Sequence, residues 1–160
     1  MQEWSLDGVR QERTGWRDAE ISERHRLWGF DCPAVDIDFL MIEYNLGLPI
    51  GLVDYKNLHA KRPDPRSKSI QALATLGEVA HLPVMIVRYQ PDIWAFRTYP
   101  LNEVAKQFFK KGELLTEVEY VRRLYLMRHR TASAHLTQKL NNVLPSGQFG
   151  LALPWQDPVF

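Results

Sequence analysis

Apolar and polar positions change period several times along the chain, and each change marks an element. Between Trp16 and Trp28, the residues Ala19, Ile21, Leu27 and Trp28 recur among charges, which predicts a first helix ended by Gly29. From Ala34 to Tyr44 the run is rich in β-branched and aromatic residues and predicts a strand. Asn45-Leu46-Gly47 supplies a turn, and Pro49 to Lys56 predicts a second strand, so the two form a hairpin. Residues 57–67 hold Pro63 and Pro65 and read as a basic loop. A helix from about Ser67 to Ala80 carries Ile70, Leu73, Leu76 and Val79 on one stripe. Val84 to Tyr89 and Ile93 to Tyr99 predict two more strands about a turn at Pro91-Asp92, with a short helix over Asn102 to Phe109. Thr116-Glu117-Val118-Glu119 has the form of a capping box and opens a helix to about Arg128. A further amphipathic stretch includes Leu136, Leu140 and Val143.

Helix, hairpin, helix, two strands and more helices predict an α/β fold, a mixed β-sheet flanked by helices with extra helices at the C-terminal end. The expected organisation is a polar arm over 1–15, one domain over 16–145 (core 16–99, helical extension 100–145), and a tail over 146–160 holding Gly147, Gly150, Pro154 and Pro158. A length of 160 residues fits one such domain, and 45% hydrophobic with 24% charged residues is the balance of an ordinary globular chain.

Composition narrows the chemistry. No apolar run approaches the roughly 20 residues of a membrane-spanning helix. The start, Met1-Gln2-Glu3-Trp4-Ser5, lacks the charged and apolar regions of a signal peptide, and Cys32 is the single cysteine, so a cytoplasmic setting without membrane contact is expected. No Walker or dinucleotide glycine fingerprint is present, which argues against a nucleotide cofactor. The histidines, His25 among them, lack zinc-ligand spacing, and no nucleophile elbow appears. With a net charge of +1, binding to nucleic acid has to come from local basic clusters. Candidates are Lys61-Arg62 with Arg66 and Lys68, Lys110-Lys111, and Arg122-Arg123 with Arg128 and Arg130. Any one such cluster is more often a solvated face than a binding patch.

The hairpin holds the chemistry. Strand alternation puts Asp36, Asp38, Leu40 and Ile42 on one face, and Ile50, Leu52, Asp54 and Lys56 on one face of the next strand. Both strands are otherwise apolar on both faces, the mark of central strands covered on two sides. Charges there have to be paired, metal-bound or at a wet edge. A turn centred on Leu46 sets Asp38 opposite Asp54 and Asp36 opposite Lys56, all on one face. Carboxylates roughly 4.5–5.5 Å apart at Cβ repel unless a cation or proton is shared, and Mg²⁺ with oxygen ligands is the natural resident. A one-residue slip would break this match. The alternative is a buried ion-pair network that fixes sheet register.

Asp38-Phe39, a turn, and then Leu52-Val53-Asp54-Tyr55-Lys56 resemble the PD-(D/E)XK nuclease superfamily, whose fold is restriction-endonuclease-like. The resemblance spans roughly residues 16–99. It implies a metal-dependent DNA endonuclease, with Asp38 and Asp54 holding Mg²⁺ or Mn²⁺ and the Tyr55 carbonyl as a further ligand. Lys56 would orient or deprotonate the attacking water and offset transition-state charge. Glu20, or else Glu23, would be the helix acid that holds a second metal through water, and Gln71 the polar residue of the following helix. Asp36 stands as a ligand in place of Asp38 or as an ion-pair partner of Lys56. DNA phosphates are expected near Arg62, Arg66 and Lys68 and along Arg122 and Arg123, and cleavage of both strands calls for a homodimer. A nuclease fold that binds DNA without cutting, and a structural protein whose charges only register the hairpin, are the competing expectations.

Overall fold

The computed structural model describes residues 19–28, 35 and 37–142. The chain divides into two compact units, 1–36 and 37–160. In the first, helix α1 runs over Ala19–Trp28, with Glu20 in its first turn where the helix dipole favours an acid. The expected arm over 1–15, Gly29, Val143 and the tail over 146–160 lie outside the described residues.

The second unit is a five-stranded mixed sheet in the order β1-β2-β3-β4-β5, flanked by helices. Strands β1 (Phe39–Glu43) and β2 (Leu48–Asn57) form the antiparallel hairpin. A 3₁₀ turn at Tyr44–Leu46 joins them, closed by Gly47 at φ 62°, a left-handed position that glycine adopts without steric cost. Helix α2 (Lys68–Ala80), capped by the Ser67 hydroxyl, then carries the chain back to β3 (Val84–Gln90), parallel to β2. Parallel neighbours require a crossover of this kind. Strand β4 (Ala95–Pro100) returns antiparallel to β3 after a turn in which Trp94 takes φ 48°. Short helix α3 (Glu103–Lys106) leads to β5 (Glu113–Leu115), antiparallel to β4. Helix α4 (Glu117–Met127) opens on the expected capping box of Thr116 and Glu119, and α5 spans Ala134–Thr137. No described helix is long and apolar enough to cross a membrane.

Two apolar layers cover the sheet. Val53, Met85, Val87, Phe96 and Leu115 pack with Phe109 and with Tyr120 and Met127 of α4 on one face. Ile86 and Tyr99 pack with Ile70 of α2 on the other. Three ion pairs fasten the edges: Arg128 and Arg130 converge on buried Glu43 at the end of β1, and Arg123 grips Glu113 of β5.

Four expectations change. The first strand begins at Phe39, not Ala34, and lies at the sheet edge, so Phe39, Leu40 and Ile42 are exposed although an apolar run reads as central. In β2, Ile50 has no opposite residue, because pairing passes from Ile42–Pro49 to Met41–Gly51. It is a β-bulge, and Ile50 packs with the α4-side layer, not with Leu52 and Asp54. In α2 the inward face runs through Ile70 and Gly77, while Leu76 and Val79 are 46% and 76% exposed. A Cβ at Gly77 would stand 2.1 Å from Val84 Cγ2, so the bare backbone lets helix and strand meet there and turns Leu76 and Val79 outward. Strand β5 was not expected, since three residues are too few to show a period.

Candidate active site

Alternation along β2 separates Tyr55 from its neighbours. Its ring enters the α4-side layer, edge-on to Phe39 at 5.1 Å and to Tyr120 at 6.3 Å, with the two tyrosine hydroxyls 2.6 Å apart and sharing a hydrogen bond. Asp54 and Lys56 consequently project to the α2 side, where Asp54 pairs in register with Ile86 and Lys56 with Arg88. Arg88 is buried, and its guanidinium donates to the Leu58 carbonyl at 2.5 Å, which pins the start of the basic loop that follows Lys56.

The last β1–β2 pair is Phe39–Val53. Asp38 stands one residue beyond it, and β2 runs on from Asp54 to Asn57 with β3 as its strand partner among the described residues. Asp38 and Asp54 lie near enough for each to shift the other's titration. Lys56 Nζ lies between them, 2.5 Å from Asp54 Oδ1 and 3.4 Å from Asp38 Oδ2. The three side chains that the hairpin pattern brought to one face therefore meet.

Their electrostatics follow from crowding. Burial, and then the hydrogen bond with Asp38, push Asp54 up to about 6. The same hydrogen bond, aided by Lys56, holds Asp38 below the usual carboxylate range despite its partial burial. Burial pulls Lys56 down, but the two carboxylates outweigh it and raise its pKa, so it is a cation at neutral pH. One carboxyl of a close pair keeps its proton to a higher pH than a free carboxyl does, because two like charges in one site repel.

The donor set fits a hard divalent cation of the Mg²⁺ kind. Asp54 Oδ1 is buried and is met by the Lys56 ammonium at 2.5 Å. No group of three His, Cys, Asp or Glu residues gathers among the described residues, which does not suit an all-protein cage. Mg²⁺ commonly takes one or two carboxylates and completes its shell with water and phosphate oxygens. A mainly apolar crevice of about 10 Å³ lies beside Asp38, Asp54, Ile70 and Ile86. It opens beside a larger cleft of about 420 Å³, lined by Gln71, Tyr99, Lys106 and Lys111, and the two share Ile70, Ile86 and Leu101 as wall.

The other expected residues fall in different places. Asp36 lies outside the described residues. Glu20 and Glu23 are exposed on α1, in the first unit. Gln71 is exposed in the first turn of α2, where its amide donates to the Arg66 carbonyl and accepts from Lys68. Arg66 pairs with Asp64 in the exposed loop, beside half-buried Arg62 and exposed Lys68. As for Arg122 and Arg123, α4 packs on the sheet face opposite Asp54 and Lys56. Arg123 turns inward, bidentate on Glu113 at 2.5 and 2.7 Å and donating to the Phe108 carbonyl. Only Arg122 of the two is exposed. Lys106 and Lys111 both line the cleft. The two reach the cleft from different turns of chain, which no local spacing signals.

No protein-family model matches the chain, and neither a curated protein nor a solved structure is significantly similar to it.

Proposed function

We propose that this chain is a metal-dependent DNA endonuclease of the PD-(D/E)XK kind, with a restriction-endonuclease-like core. The observation that carries the reading is the meeting of Asp38, Asp54 and Lys56 on one sheet face. The hairpin, crossover helix and parallel strand around these residues are compatible with it.

Asp38 and Asp54 would hold Mg²⁺ or Mn²⁺, with the Tyr55 carbonyl as a third protein donor. The metal, when bound, supplies polarisation of the phosphate and a lowered pKa for water. Lys56, a cation at neutral pH, donates hydrogen bonds. Its work is to orient the attacking water and to offset negative charge as the phosphate turns pentacovalent. Asp54, raised to about 6, is largely ionised at neutral pH, the form in which the pair would hold a dication. Gln71 enters as an auxiliary group, and Arg62, Arg66 and Lys68 as phosphate contacts on the loop that follows Lys56. Two copies of the chain would be needed to cut both strands of a duplex.

One observation favours a second reading. Lys56 already bridges both carboxylates, as a purely structural ion-pair network would require. The readings separate when supercoiled, linear and branched DNA are incubated with the protein and Mg²⁺ or Mn²⁺, with and without chelator. The endonuclease reading expects metal-dependent nicking that disappears in Asp54→Ala and in Lys56→Ala. If the folded wild type cuts none of these substrates, the reading falls. A wild type that binds DNA without cutting would be a binding module, and one that neither binds nor survives Asp54→Ala would be the structural protein.

A further inference from the structure

We infer that the 420 Å³ cleft beside the carboxylate pair is a subsite for one unpaired nucleotide of the DNA strand, its phosphate held by Lys106 and Lys111 and its base laid on the apolar wall. This deepens the endonuclease reading and rests on it for the identity of the ligand. The volume falls in the range of small-ligand sites, about 300–1,000 Å³. It gives room for one nucleotide.

The lining matches the two halves of a nucleotide. Ile70, Ile86 and Leu101 supply an apolar wall, and Pro65 and Pro100 add to it. Planar bases gain by leaving water for a surface of that kind. Lys106, at the end of α3, and Lys111, in the connection from α3 to β5, add two cations, and no carboxylate side chain lines the cleft. Lys106 also pairs with Glu103, but both are exposed, and a surface ion pair of that kind is worth little against a phosphate. Gln71 offers an amide at the same wall, with donor and acceptor atoms that a base edge can use.

Position gives the cleft its meaning. Ile70, Ile86 and Leu101 are common walls of this cleft and of the crevice that holds Asp38 and Asp54. A nucleotide seated here is next in line to a phosphate at the carboxylate pair. A base still paired in a continuous duplex cannot leave its partner to enter without the cost of unpairing. The substrate class is therefore DNA with an unpaired nucleotide at the cut: a single strand, an overhang or a branch.

The test is binding in chelator, so that it does not depend on cleavage. Titrate full-length protein with deoxyadenosine monophosphate, deoxyadenosine and inorganic phosphate by calorimetry. The nucleotide is expected to bind more tightly than either half. The Lys106→Ala/Lys111→Ala double variant is expected to weaken it about tenfold or more. Ala74→Leu, which adds bulk at another lining position, is expected to weaken the nucleotide and the nucleoside while leaving phosphate binding in place. A single-stranded oligonucleotide should displace the nucleotide, and closed-circular duplex should not. The inference is overturned if the nucleotide does not bind, if both variants bind it as wild type does, or if closed-circular duplex competes as well as the single strand. Nicking without nucleotide binding would remove the subsite and leave the endonuclease. Binding as expected without nicking of any substrate would keep the cleft and remove the endonuclease.

Discussion

Tyr55 and Tyr120 share a hydrogen bond of 2.6 Å between hydroxyls on the far side of the sheet from the carboxylates. The link fastens the middle residue of Asp54-Tyr55-Lys56 to α4, so the helix behind the sheet helps hold two reactive side chains in front of it. Tyr120→Phe keeps the ring and strands the Tyr55 hydroxyl. It is expected to cost about 1–2 kcal/mol in urea unfolding, with the slope unchanged. Tyr120→Ala, which also opens a cavity among Phe96, Phe109 and Tyr55, should cost about 3–5 kcal/mol.

Asp54 lowers the stability of the folded chain near neutral pH, and its replacement should reveal this. Its pKa rises from 3.8 to about 6 on folding, through burial and the neighbouring Asp38. Below pH 4 both states hold the proton; as pH climbs through 6 the folded state surrenders a proton that it bound more tightly, and stability falls. Asp38, lowered by its hydrogen bond with Asp54 and by Lys56, acts oppositely, and its contribution fades as pH drops. Asp54→Asn removes the first effect and leaves an amide that can donate to Asp38. The variant is expected to exceed wild type by about 1–3 kcal/mol at pH 8 in chelator, and to show no such gain at pH 4. A loss at pH 8, by urea unfolding, would mean that Asp54 serves chiefly as a structural partner of Lys56.

Under the endonuclease reading, Lys56 separates metal binding from catalysis. Removing a cation from between two carboxylates should leave Mn²⁺ affinity equal to wild type or higher. Lys56→Met is therefore expected to bind Mn²⁺ undiminished in calorimetry while nicking falls about 100- to 10,000-fold. Parallel loss of both would assign the ammonium to holding the carboxylates in place.

Gly77 tests the seat of α2. Alanine is the better helix former by about 1 kcal/mol, yet here its methyl would meet Val84 Cγ2 at 2.1 Å and Asn102 Nδ2 at 2.8 Å. Asn102 cannot yield freely, since it bonds Val84 N, Ala105 N and the Leu82 carbonyl. Overpacking of this kind costs about 1–3 kcal/mol. Gly77→Ala should lower the melting temperature, whereas Leu76→Ala, at an exposed position, should leave it nearly unchanged.

The turn shows how far local reading reaches. With the turn centred on Leu46, Glu43 would face Pro49 and Ile42 would face Ile50. The hairpin instead pairs Glu43 with Leu48 and Ile42 with Pro49, one residue short. The bulge at Ile50 restores the register, and Met41 faces Gly51, Leu40 faces Leu52 and Phe39 faces Val53. Two departures cancel, and Asp38 reaches Asp54 by a route that the turn residues do not disclose.

What the residues determined on their own is whatever backbone geometry and nearest neighbours decide. Alternation put Asp54 and Lys56 on one side and Tyr55 on the other, the Ser67 and Thr116 caps began their helices, and glycine at position 47 closed the turn. What only the tertiary structure decided is whatever depends on distant parts of the chain. It left β1 at an edge, rolled α2 onto Gly77, spent Arg123 on Glu113, and brought Lys106 and Lys111 to the wall beside the carboxylates. A side chain's direction along a strand is set within two residues, but its company is set by long-range packing, which no local period encodes.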